Sequence, residues 1–182
     1  MVSKLESRSN SADNATMITR LLLLLVFIAT TVNGAIQPPM LQDQYGVSSG
    51  LASYPGEAVL AIVVSGRKLR WVGRWEETIR VELPEITSLR VADITDKPRP
   101  EEAQVAETLR KRAPANVSIL INLQNHWATL YQLDTREPCL VLFDREHNVV
   151  AQFRGRPNDE LADEVLTALR EYFPSSQAAA RL

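Results

Sequence analysis

The sequence of 182 residues carries a single cysteine, Cys139, and two histidines, His126 and His147. One thiol excludes an internal disulfide, so the stability of the chain has to come from its core. Two lone histidines, with no cysteine or carboxylate cluster at ligand spacing, make no metal site. An excess of one charge is missing too. Lys and Arg number 20 against 22 Asp and Glu, a formal net charge of −2. A nucleic-acid binder usually shows a basic surplus, so no nucleic-acid partner is expected. There is no Gly-rich phosphate loop, no His-Glu-x-x-His and no Gly-x-Ser-x-Gly. With those chemistries absent, no cofactor is expected. Nor does the apolar run near the N-terminus, Leu21–Ala29, have the length to span a bilayer comfortably, even extended to Val32.

That run has the surroundings of an export signal. Met17-Ile-Thr-Arg20 supplies a basic residue before it, and Val32-Asn-Gly34 supplies a small-residue exit before Ala35. The parts align best with synthesis starting at Met17 and cleavage after Gly34, Met1–Thr16 being an upstream extension. The rival readings are a long leading region or an uncleaved anchor. The expectation is a secreted or periplasmic protein with no integral span after cleavage. Asn116-Val-Ser118 matches a glycosylation sequon, which matters only in a eukaryotic secretory host.

Residues 35–55 hold Pro38-Pro39, Gly46, Gly50 and Pro55 with little periodicity, and predict an extended lead-in. From 56 to 174 the texture is that of a folded domain. Ala58–Val64 is a short, β-branched apolar run that suits a strand buried on both faces. Arg67–Leu83 fits helical spacing through Leu69, Val72, Trp75, Ile79 and Leu83, though Ile79, Val81 and Leu83 also alternate like a strand. Pro84 as a stop favours helix. Ser88–Ile94 predicts a strand and Thr95–Pro100 a polar turn. Glu101–Arg112 predicts a helix with an acidic first turn and a basic last one. Val117–Leu123 predicts a strand, His126–Leu133 a short helix, and Cys139–Phe143 and Val149–Phe153 two strands joined by a turn. Asp159–Phe173 predicts the closing amphipathic helix, and 175–182 a frayed tail. Alternating strands and helices imply parallel pairing, while the last two strands are joined too tightly for anything but an antiparallel hairpin.

The second half of the chain resembles a known group. The residues that carry the likeness are Trp127-Ala-Thr-Leu-Tyr-Gln-Leu133, Glu137-Pro138-Cys139, Leu140-Val-Leu-Phe-Asp144, Asn148-Val-Val150 and Gly155. In this order they resemble the thioredoxin-like superfamily, in its branch of peroxiredoxins and periplasmic thiol–disulfide oxidoreductases. The earlier elements, from Ala58, fit the same order. The resemblance implies an α/β thioredoxin-like fold with a central mixed sheet of about five strands flanked by helices, and a cis peptide before Pro138.

Two departures from the family pattern bear on function. Its active cysteines lie after the first long core strand, at the start of the next helix; that slot here is Ser65-Gly66-Arg67-Lys68. The family usually has threonine after its cis-proline, where this chain has Cys139. Because a thiolate is the nucleophile in all such reactions, dithiol chemistry is not carried over. The copper-chaperone relatives of the fold need paired cysteines with histidine, which are also lacking.

The resemblance leaves a groove between Ser65, Gly66, Arg67, Lys68 and Pro138 as the candidate binding site for a protein or peptide. The Ser65–Lys68 slot is either a solvated loop or an anion-attracting helix start with two added cations at the carboxyl end of a strand. Cys139 opens an apolar strand, where a free cysteine usually packs as a small hydrophobe. The alternative is an enzyme using Cys139 alone for thiol exchange or peroxide reduction, and a third reading is a structural accessory of the cell envelope. Trp71, Trp75 and Trp127 are either a stacking surface or core residues.

Overall fold

The computed structural model describes residues 38–94 and 100–173. The export signal, the polar turn after Ile94 and the C-terminal tail lie outside the described residues.

Five strands form one mixed sheet in the order β5-β4-β3-β6-β7. They are β3 (Val59–Ser65), β4 (Ser88–Asp93), β5 (Leu120–Asn122), β6 (Cys139–Phe143) and β7 (Val149–Arg154). β3 pairs in parallel with β4, and β4 with β5, while β6 runs antiparallel to both β3 and β7. The sequence of β3, VLAIVVS, explains its central place. It is buried on both faces over Val59–Val64, so every position is apolar and most are β-branched. β7 is one of the two sheet edges, and none of its residues is fully buried.

The helices are α1 (Arg70–Arg80), α2 (Glu102–Arg112), α3 (His126–Leu130) and α4 (Asp159–Tyr172). α1 buries Val72, Trp75 and Ile79, one face at helical spacing, so within the expected range 67–83 the helix is Arg70–Arg80 and residues 81–83 form a turn rather than a strand. α4 starts at Asn158, whose side chain accepts the Leu161 N–H, and buries Ala162, Val165, Leu166 and Leu169. Together α1 and α4 cover Leu60, Ile62, Val64, Leu140 and Leu142 of the sheet. α2 packs Val105 and Leu109 on Ala92 and Ile121. Since Val64 is paired with Ala92, and Ala92 with Ile121, α2 lies on the same face as α1. The opposite face, with Val59, Ala61, Val63, Val91 and Val141, is covered by Trp127 of α3 and by Leu51.

Residues 38–55 differ from the extended lead-in that their composition predicts. β1 (Leu41–Gln42) pairs antiparallel with β2 (Ser48–Ser49), and Asp43 bridges to Leu120 at the start of the edge strand β5. The anchor is polar. Gln44 is 1% exposed; its amide donates to the Val117 carbonyl at 2.6 Å and accepts the Ile119 N–H at 2.8 Å. One side chain thus occupies the backbone groups that a further strand would have paired, a means of shielding a sheet edge that hydrophobic periodicity does not register.

Candidate functional site

Ser65 ends β3, paired with Asp93 of β4. The chain then makes a tight turn, Gly66–Lys68, before α1. A Cβ at Gly66 would lie 2.6 Å from Ile94 Cδ1, so a larger residue there would have to displace the end of that side chain. The turn aims Lys68 across to the segment before β6. Its ammonium donates to the Arg136 carbonyl and to Glu137 Oε1, the latter at 3.0 Å. Glu137 Oε2 in turn accepts from Arg156 Nε at 3.2 Å. The hydrogen bond from Lys68, with help from Arg156, holds the Glu137 carboxyl below its usual range. Pro138 follows, buried, and its carbonyl accepts the Gly155 N–H at 2.9 Å. Gly155 has φ +144°, a conformation open to glycine, and its carbonyl accepts the Trp75 indole N–H at 3.1 Å. The Ser65–Lys68 turn and the Pro138 segment are thus neighbours, joined by the Lys68–Glu137 ion pair.

Cys139 is 2% exposed. It opens β6 between Val63 and Arg154 on the neighbouring strands, and its Sγ lies 3.4 Å from the Asp134 carbonyl and 3.5 Å from that of Glu137. Burial pushes its thiol up to about 11. Asp134 ties the surface nearby: its carboxylate accepts two hydrogen bonds from the Arg136 guanidinium, which hold it well below the usual carboxylate range, and pairs with Arg154 at 2.7 Å. The Arg154 guanidinium pulls the thiol the other way, and burial outweighs it.

One cluster was not singled out from the sequence. Asp93, at the end of β4, is 0% exposed. It accepts Asn122 Nδ2 at 2.9 Å and Thr135 Oγ1 at 3.1 Å, and the Asn125 amide, turned to donate, reaches its Oδ2 at 3.0 Å. Asn125 holds φ +57° at the start of α3, a backbone state that asparagine tolerates better than most residues. Burial raises the Asp93 carboxyl above its ordinary value against these donors. An aspartate ending an apolar strand was the one available signal; its donors are scattered over 42 residues of the chain's separation.

The three tryptophans do not share a surface. Trp75 and Trp127 are fully buried on opposite faces of the sheet. Trp71 is half-buried, with the guanidiniums of Arg70, Arg74 and Arg156 at 5.1, 5.6 and 5.1 Å from its ring centre. His126 is exposed, and His147 sets its Nε2 3.0 Å from the Tyr54 carbonyl. Among the described residues, no group of three His, Cys, Asp or Glu is placed to hold a metal ion. No helix of these residues is long and apolar enough to cross a membrane.

No protein-family model matches the chain, and no curated protein matches its sequence. Solved structures do match in shape. The pneumococcal exposed lipoprotein thioredoxin from Streptococcus pneumoniae superposes with a TM-score of 0.59 at 18% identity, covering 74% of this chain and 98% of that one. A secreted Mycobacterium tuberculosis disulfide oxidoreductase gives 0.52 at 10% identity, with 74% and 96% covered. A thiol peroxidase from Chromobacterium violaceum gives 0.54 at 15%, with 75% and 84% covered. The chain therefore has the thioredoxin-like fold of these thiol-dependent proteins, and it has one cysteine where a dithiol needs two.

Proposed function

We propose that this is an exported thioredoxin-fold protein that binds a protein or peptide partner and carries out no thiol chemistry. The observation that carries the reading is the state of the one cysteine: Cys139 is buried, and its thiol is pushed up to about 11. At neutral pH about one molecule in 10⁴ would hold the thiolate that exchange or peroxide reduction needs. The slot after β3 offers no second thiol, because Ser65, Gly66, Arg67 and Lys68 fill it. What the slot does offer is a charged rim, Lys68, Glu137 and Arg156, around a buried Pro138. Such a rim suits recognition of a polar or charged segment, since exposed ion pairs of this kind are weak and exchange partners at little cost. The basic residue, apolar run and small-residue exit ahead of Ala35 support export, to the periplasm or beyond.

Two experiments test the reading. A photoreactive side chain placed at Lys68 should cross-link an envelope protein in the native host, and the same group at Thr167 on α4 should not. No adduct from position 68, or equal adducts from both, contradicts a partner in the groove. Mass spectrometry of the protein from its host should find Ala35 first; soluble protein retaining Met17–Gly34 contradicts cleavage.

A further inference from the structure

The other side of the Gly66–Lys68 turn opens on a separate cleft of about 380 Å³, between α1 and the segment that follows α2. Its walls are apolar, with Leu69 and Val72 facing Val117 and Ile119. Three arginines, Arg67, Arg70 and Arg112, contribute to the lining against one carboxylate, Glu76. That carboxylate is already neutralised: Arg90 pairs with it closely, and Arg80 stands 3.7 Å away. Arg67 has an interaction of its own, and Arg70 and Arg112 leave the lining positive. The Arg70 guanidinium lies 5.1 Å from the centre of the Trp71 ring, which does not line the cleft, so Arg112 is the cation left for a ligand.

A second observation concerns Gly73, which lines the same cleft from the interior of α1. A glycine inside a helix is destabilising relative to alanine. Neither crowding nor backbone conformation explains one here: a Cβ at Gly73 meets nothing within 4 Å, and the residue is helical. The physical consequence of a longer side chain at this point is a filled cleft.

We propose that the cleft binds a small amphipathic organic anion, its apolar body against Leu69, Val72, Val117 and Ile119 and its single anionic head on Arg112. The volume lies at the small end of ligand sites, which run from about 300 to 1,000 Å³. A bare phosphate leaves the apolar walls uncovered, and a neutral apolar molecule gains nothing from the guanidiniums. The assignment does not rest on the groove reading, since the cleft shares only Gly66 and Arg67 with it and uses neither as an anchor.

The test is calorimetric titration of the full chain with three probes: octanoate, octan-1-ol for the body without charge, and inorganic phosphate for charge without the body. Octanoate should bind one to one with Kd below about 1 mM, and the other two at least about tenfold more weakly. Gly73→Leu should abolish octanoate binding, with the fold checked by an unchanged near-UV spectrum. Arg112→Gln, at the exposed end of α2, should weaken it about fivefold or more, as expected for losing one charge-assisted hydrogen bond. Absence of saturation by octanoate, equal binding of octan-1-ol, or indifference to both substitutions overturns the proposal. Sedimentation with phosphatidylglycerol vesicles that Gly73→Leu abolishes would make the ligand a lipid surface, and overturns the assignment to a free anion.

Discussion

The thiol of Cys139 should be nearly unreactive in the folded protein, by an amount that follows from its surroundings. With the pKa pushed up to about 11, the thiolate fraction at pH 7 is about 10⁻⁴, against about 3% for a free cysteine near pKa 8.5. The lower thiolate fraction slows reaction with a disulfide reagent about 300-fold, of which the greater nucleophilicity of the more basic thiolate returns about tenfold. Exclusion of the reagent adds to this, because the side chain is 2% exposed between β3 and β7. Labelling with a chromogenic aromatic disulfide at pH 7 should therefore be slower by at least about 30-fold in native protein than in protein unfolded with guanidinium. Between pH 7 and pH 10 the native rate should climb about tenfold per unit without levelling, since the thiol is still mostly protonated throughout. A native rate within about tenfold of the unfolded one, or a plateau below about pH 9, would refute the reasoning, for either demands an exposed or acidic thiol.

Other consequences follow from particular residues. Gly73→Ala should raise stability by about 0.5–1 kcal/mol in denaturant melts, because the helix gains and nothing clashes; a loss would mean that the position is crowded. Leu142→Ala, fully buried between α1, α4 and the sheet, should cost about 2–5 kcal/mol. Val81→Ala, at 81% exposure, should stay within about 0.5 kcal/mol, and similar losses at both sites would contradict the placement of the core. Asp93 gives a pH signature. Its folded pKa is raised above the ordinary 3.8, so the fold favours the protonated form. Stability relative to Asp93→Asn should then fall as pH rises from about 3.8 through the raised value, and level off above it. A difference that grows with pH would reverse the assigned direction.

The strands of the sheet were readable because each is a short apolar run closed by polar or glycine-bearing turns. Cys139–Phe143 has the same bounds in both readings. Residues 79–83 carried two periods at once, and only the packing of Val72, Trp75 and Ile79 on the sheet separates them. The predicted strand 117–123 shortens to Leu120–Asn122, since Val117 and Ile119 give their backbone groups to Gln44 rather than to a neighbouring strand. That contact joins residues 73 and 75 positions apart through a side-chain amide, which leaves no trace in local pattern. The Asp93 cluster and the Gly73 cleft escaped for the same reason. Their members come from separate elements, and each looks ordinary where it stands in the chain. The Lys68–Glu137 ion pair is half visible in the sequence: the loop and Pro138 stand out there, while the bridging carboxylate looks like any surface glutamate.

The central claim is that a thioredoxin-like fold here operates without thiol chemistry, and turnover measures it most directly. Insulin reduction with dithiothreitol and peroxide consumption with a thiol donor should both read at background for the wild-type protein, and Cys139→Ser should leave both readings unchanged. Robust turnover by the wild-type protein that disappears in Cys139→Ser would contradict the account and make Cys139 the catalytic group.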